Sequence, residues 1–281
     1  MRAGGIFMSA LGGADGNDGP GGVALIDHDT FEVIGPWEVD RGPQFFAYDV
    51  WWHLRHDTLV TSEWATPSML ENGLNPEDLL GRKFGHHLNF WNMSERKLIQ
   101  RIDLGDQHQM VLELRPPTTR QDLGFVGVVI SVEDLSASVW LWHKAGDQWA
   151  VDKVITIRPS RRPDVLPPAL QPFGAVPPLV SDIDLSVDDR WLYVSCWATG
   201  ELKQFDVSDP FHPKETASVR LGGSCGANRI RRCPTCRCAA GRRWWRSAAT
   251  AGESTSPTRC TLRGTRCSTP RRRRVDGQAR R

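Results

Sequence analysis

Short apolar runs separated by polar turns recur along the first three quarters of the chain, in the same order each time. Four strand-like runs open the units, at residues 6–11, 58–64, 125–131 and 191–197. A second run follows each, at 23–27, 87–92, 139–142 and 202–207, and then a third, at 31–39, 98–104, 149–157 and 216–221. Polar turns such as 27–30 and 208–211 join second to third runs and predict hairpins. A further short strand is predicted ahead of three units, at 45–50, 110–114 and 181–185. Measured between second runs, the period is 87 − 23 = 64, then 139 − 87 = 52, then 202 − 139 = 63. Four strands per unit at such a period, with almost no helical periodicity, predict an all-β chain built of β-propeller blades. A β-sandwich has similar strands but would not repeat their lengths and turn order.

The first unit has no room for an inner strand before Ile6, so three complete blades and most of a fourth are expected over residues 1–223. Propellers close with four to eight blades, and an open arc leaves strand edges unpaired. The propeller is therefore read as cut.

Composition changes sharply at Gly223. The whole chain of 281 residues is 40% hydrophobic and 24% charged with net charge +2, but residues 1–223 carry 19 − 31 = −12 and residues 224–281 carry 16 − 2 = +14. The tail holds 16 Arg, no Lys, six of the seven Cys and only Ile230, Leu262 and Val275 as large aliphatics. So few aliphatics cannot offset the entropy of ordering, and the segment is read as disordered. Its Arg clusters around Trp244-Trp245 suit a nucleic-acid backbone, and Cys233, Cys236, Cys238, Cys260 and Cys267 suit zinc, though without a framework to hold the thiolates. No stretch is apolar for long enough to span a bilayer, and no signal peptide opens the chain, so a cytoplasmic protein is expected. The body carries no phosphate loop, nucleophile elbow or dinucleotide fingerprint.

All eight His lie in the body. His56 precedes a predicted blade strand and His87 opens another, where imidazoles from several blades could hold copper or simply fill blade interfaces. His86 and His108 are weaker candidates for the same role, and His28, His143 and His212 fall in hairpin turns. Glu63 could orient a metal-bound imidazole or cap a loop. Asp182, Asp184, Asp188 and Asp189 resemble a cation site, with turn formation as the preferred reading. Cys196 is expected to pack as a small buried hydrophobe. The Trp-rich second runs, such as Trp140 and Trp142, are read as packing between blades. No catalytic residue is assigned.

Several motifs carry a family likeness. Gly21-Gly22-Val23, Gly42-Pro43-Gln44, Tyr48-Asp49, Thr61-Ser62-Glu63-Trp64, Gly85-His86-His87, Gly124-Phe125-Val126-Gly127, Asp182-Ile183-Asp184-Leu185-Ser186, Asp188-Asp189-Arg190-Trp191 and Gln204-Phe205-Asp206 resemble the selenium-binding protein family over about residues 5–223. That resemblance implies a seven-bladed propeller and, in several members, a copper-dependent methanethiol oxidase of sulfur metabolism, turning methanethiol, oxygen and water into formaldehyde, hydrogen sulfide and hydrogen peroxide. It implies His at positions 56 and 87 within a copper site and a small thiol as substrate. The alternative within the family is a non-catalytic propeller that binds selenium or a protein partner. The family's paired-His and Cys motifs ahead of Gly5 are missing, so little turnover is expected from these residues alone.

The likeness stops where the composition changes. Shifting the reading frame by one base turns Arg242 to Ser247 into a permitted Gln-Val-Val-Glu-Val, and the regrouped tail resembles both the family's next blade and the unit at 180–193. The tail is therefore read as out of frame, and no nucleic-acid partner is expected.

Overall fold

The computed structural model describes residues 5–222, apart from 14, 72, 161–165 and 167. The tail at 224–281, expected to be disordered and out of frame, lies outside the described residues. Four antiparallel meanders follow one another along the chain. The first has three strands, β1 (Gly5–Ala10), β2 (Gly22–Asp27) and β3 (Val33–Pro36). The second has β4 (Val50–His53), β5 (Thr58–Ser62), β6 (His87–Asn92) and β7 (Lys97–Asp103). The third has β8 (His108–Arg115), β9 (Leu123–Ser131), β10 (Ala137–Ala145) and β11 (Gln148–Ile157). The fourth has β12 (Val180–Leu185), β13 (Trp191–Cys196), β14 (Glu201–Asp206) and β15 (Lys214–Arg220). Each strand pairs only with its sequence neighbours, which makes each sheet one propeller blade, and the four form an arc.

Blades stack because the second and third sheets bury both faces against their neighbours. β8 packs on β4 and β5, and β12 packs on β8 and β9, so first strands line the inner edge of the arc. Phe90, Leu114, Val126 and Trp142 close the second blade on the third, while Leu141, Ile183, Leu192 and Val194 close the third on the fourth. Burial of this kind is worth about 1.5–3 kcal/mol per large aliphatic or aromatic side chain. Gly124 on β9 is required by this packing, since a Cβ there would stand 2.1 Å from the Trp142 ring.

One predicted strand is displaced. Residues 45–50 read as a strand, but pairing begins at Val50, opposite Thr61, and continues through Trp51, Trp52 and His53. The stretch before it is held by loop hydrogen bonds: Gly21 N donates to Phe45 O at 2.9 Å, and Gln44 Nε2 donates to Phe46 O at 2.5 Å. Its apolar side chains face neighbours without joining a ladder. The short helix α1 (Pro76–Leu80), capped by Asn75, had no counterpart in the pattern. Among the described residues no helix is long and apolar enough to cross a membrane.

Candidate functional site

The long connection from β5 to β6 returns the chain to the end of β5 that carries Glu63. Gly85 makes that return possible. Its N–H donates to Trp64 O at 2.7 Å, and a Cβ at Gly85 would lie 2.5 Å from Glu63 Cβ. The next two residues, His86 and His87, are thereby laid over the Glu63 carboxylate, with ring centroids 4.2 Å apart.

Glu63 is fully buried and accepts from Asn89 Nδ2 at 3.0 Å and from Arg101 Nη2 at 3.0 and 3.1 Å. Burial pushes its pKa up, but hydrogen bonds from His87 and Asn89 and the charge of Arg101 outweigh that and hold it below the usual carboxylate range. An ionised Glu63 in turn fixes the imidazole beside it. His87 Nδ1 lies 3.2 Å from Oε2 of Glu63 and 3.1 Å from Nη2 of Arg101; in the tautomer that donates to Glu63 the lone pair is on Nε2. His86 Nδ1 lies 3.2 Å from Phe84 O, which places its lone pair on Nε2 as well. The two Nε2 atoms stand 3.6 and 4.0 Å from the carboxylate of Asp103 at the end of β7. His86, His87 and Asp103 each offer one ligand atom, all within 4.8 Å of one another. Two imidazoles, each anchored through its other nitrogen, plus one carboxylate make a donor set that fits a divalent transition metal such as copper.

The other expected ligands are elsewhere. Thr58 pairs with Asn92 and Ser62 with Leu88, so His56 and His87 belong to one blade and sit at opposite ends of β5, on the order of 15 Å apart. The resemblance implies both within a copper site, and the geometry of the described residues does not bring them together. His56 lies in the turn between β4 and β5 against Trp149, with a buried Nε2 that has no partner. Beside it, His53 stacks on Trp149 and its Nε2 accepts from Trp142 Nε1 at 2.8 Å. Burial and the nearby His56 lower the His53 pKa to about 4, against Asp122 and the Gln121 backbone. His108, on β8, accepts from Lys153 Nζ at 3.0 Å through Nε2, which occupies that nitrogen.

The inner edge of the arc holds a charge cluster that sequence reasoning missed. Arg115 at the end of β8 faces Glu113 at 3.2 Å, Asp49 at 3.4 Å, and Asp182 and Asp184 each at 3.6 Å. The sequence pattern favours turn formation for Asp182 and Asp184, but they lie inside β12, and Asp188 and Asp189 shape the turn that follows. Burial and the charge of Glu113 raise the Asp49 pKa to about 6, with Arg115 offsetting part of the shift. One cation among four carboxylates favours keeping a proton on one of them. The alternation Asp-Ile-Asp within a strand could have signalled this, because residues two apart share a face.

Cys196 is 1% exposed, and burial followed by the charge of Glu201 pushes its thiol up to about 12. It packs among Val180, Ile183 and Val194 as a small hydrophobe.

A family model described as 56kDa selenium binding protein (SBP56) matches residues 1–246. A methanethiol oxidase of Xenopus laevis is 39% identical over 226 residues, covering 80% of this chain and 45% of the relative. The human methanethiol oxidase is 38% identical over 228 residues with the same coverage. The crystal structure of a hypothetical selenium-binding protein from Sulfolobus tokodaii superimposes with a TM-score of 0.74 at 47% identity, covering 78% of this chain and 48% of that one. The chain thus spans about half the length of the curated relatives it matches.

Proposed function

Since the chain belongs to the selenium-binding protein family, we propose that it is part of a copper-dependent methanethiol oxidase, with His86, His87 and Asp103 holding the metal. Relatives bearing that name, at 38–39% identity across the described blades, support the activity. The observation that carries the site is the convergence of one donor atom each from His86, His87 and Asp103 within 4.8 Å, with Nδ1 of His86 against Phe84 O and Nδ1 of His87 against Glu63. The substrate is a small thiol: methanethiol, oxygen and water give formaldehyde, hydrogen sulfide and hydrogen peroxide.

Copper bound there supplies the one-electron redox chemistry with oxygen. The chain's own residues do the positioning. With His87 binding metal through Nε2, Glu63 accepts the proton of its Nδ1, and Arg101 and Asn89 hold Glu63 ionised. The half-exposed Asp103 closes the third side of the pair.

The family's other reading is a propeller that carries selenium or a protein partner without catalysis. Within the described residues the one cysteine is Cys196, whose buried neutral thiol is a poor nucleophile for selenium.

Electron paramagnetic resonance of the Cu(II)-loaded chain tests the ligand set. Nitrogen hyperfine splitting from two imidazoles is expected, lost on His86→Ala or His87→Ala and retained on His56→Ala. Copper lost on His56→Ala and kept on the other two would sink the assignment. Peroxide release on adding methanethiol to the protein with its remaining blades separates oxidase from carrier.

A further inference from the structure

On the connection-rich face of blades two to four, a cavity of about 750 Å³ opens beside β8 and β12. Its walls are apolar: Trp64, Met110, Leu112, Val129 and Leu179, with Leu79 of α1 on one side. Leu74, Leu80, Phe173 and Trp197, all exposed, mark its mouth. Among the described residues none in its lining is charged.

One polar group in this lining has no partner. Ser181 is 9% exposed, and its hydroxyl is buried without a hydrogen bond. Asn75, the other polar residue of the lining, spends its carbonyl on capping α1, accepting from Glu77 N at 3.0 Å. A buried hydroxyl left unsatisfied costs about 1–3 kcal/mol, so its presence in an apolar wall calls for a partner.

The backbone around the cavity is also shaped for it. The ladder of β12 on β13 skips Ser181, passing from Val180 opposite Cys196 to Asp182 opposite Ser195. A bulge of this kind re-aims the side chain it carries. On β8 the register breaks between Val111 and Leu114, which turns Leu112 to the cavity and leaves Glu113 for Arg115. Met110, Leu135 and Leu179 line the cavity with φ of 67°, 61° and 52°, in the left-handed region that costs non-glycine residues about 1–3 kcal/mol each. Such strain persists where a site over-determines it.

We infer that this cavity binds a neutral, mainly apolar small molecule that places one hydrogen-bonding group on the Ser181 hydroxyl. The volume lies in the range that encloses drug-sized ligands. His86, His87 and Asp103 are not among its lining residues, so the cavity is a separate site from the proposed metal centre, and methanethiol, with two heavy atoms, would fill only about a tenth of it at ~30 Å³ per heavy atom. A charged head group would lose its hydration with no counter-charge among the described wall residues. The serine hydroxyl both donates and accepts, which suits an alcohol, carbonyl or ether oxygen.

Titration of the 281-residue chain with N-phenyl-1-naphthylamine, a neutral apolar fluorophore, tests this. Saturable binding of one molecule per chain is expected, with quenching of tryptophan emission. Decanol should displace the probe at least tenfold better than decanoate at pH 8. Leu80→Lys and Leu74→Lys alter exposed positions, so folding is retained by circular dichroism while probe affinity falls tenfold or more. Ser181→Ala should keep the probe and weaken decanol about tenfold, while His87→Ala should leave both unchanged. Absence of saturable binding, equal competition by decanoate, or unchanged affinity in both lysine variants overturns the inference.

Discussion

His87 Nδ1 stands 3.2 Å from Oε2 of Glu63, a carboxylate with no solvent exposure, on the opposite side of the imidazole from Asp103. The contact holds the ring in place, and when Nδ1 donates to Glu63 it leaves the Nε2 lone pair for a metal.

Glu63→Gln should therefore lower Cu(II) affinity by on the order of tenfold to a hundredfold without removing a ligand. His87→Ala should reduce it further, and His56→Ala should not change it. Equilibrium dialysis reads all three. Equal losses for Glu63→Gln and His56→Ala would contradict the placement.

Gly85→Ala should destabilise the fold, because the added Cβ meets Glu63 Cβ at 2.5 Å and the Glu63 backbone at 2.6 Å. Backbone cannot step aside as a side-chain tip can, so a cost of about 1–3 kcal/mol is expected. Urea unfolding measures it; a change below about 0.5 kcal/mol, the scatter of neutral surface substitutions, would mean that the β5–β6 connection shifts freely.

Two buried groups pull stability in opposite directions between pH 4 and 6. Asp49 keeps its proton to about 6 in the fold, whereas an ordinary Asp loses it near 3.8, so its contribution to stability falls as pH rises through that window. His53 stays neutral down to about 4 in the fold but takes a proton below 6.5 when unfolded, so its contribution rises with pH. Asp49→Asn should make stability climb more steeply with pH over this range, and His53→Gln should make it climb less. Unfolding midpoints at pH 4, 5 and 6 check both signs.

Iodoacetamide at pH 8 should leave the peptide bearing Cys196 unlabelled in the folded protein and label it in urea, because the native thiol is buried and its pKa is pushed up to about 12. Mass spectrometry of that peptide distinguishes it from the other cysteines, and native labelling at the unfolded rate would contradict the burial.

The sequence alone determined the blades. Runs such as 87–92 and 181–185 alternate or stay apolar because each strand is buried by its own ladder and by the next sheet, and that requirement is local and periodic. It also determined Cys196 as core and Gly85-His86-His87 as a motif. Tertiary structure decided which of the flagged residues meet. His56 and His87 read alike in the sequence, yet an antiparallel hairpin sends them to opposite ends of β5. Asp103, which completes the His pair, stands directly opposite His87 across the β6–β7 ladder, in a register set by the hairpin turn and the bulge at Phe90–Trp91. Asp49, Glu113, Arg115 and Asp182 come from three blades and meet only because first strands share the inner edge of the arc. The bulges at Leu112–Glu113 and Ser181 carry no signal in hydrophobic pattern, since a skipped residue changes the partner across the ladder and not the residue itself.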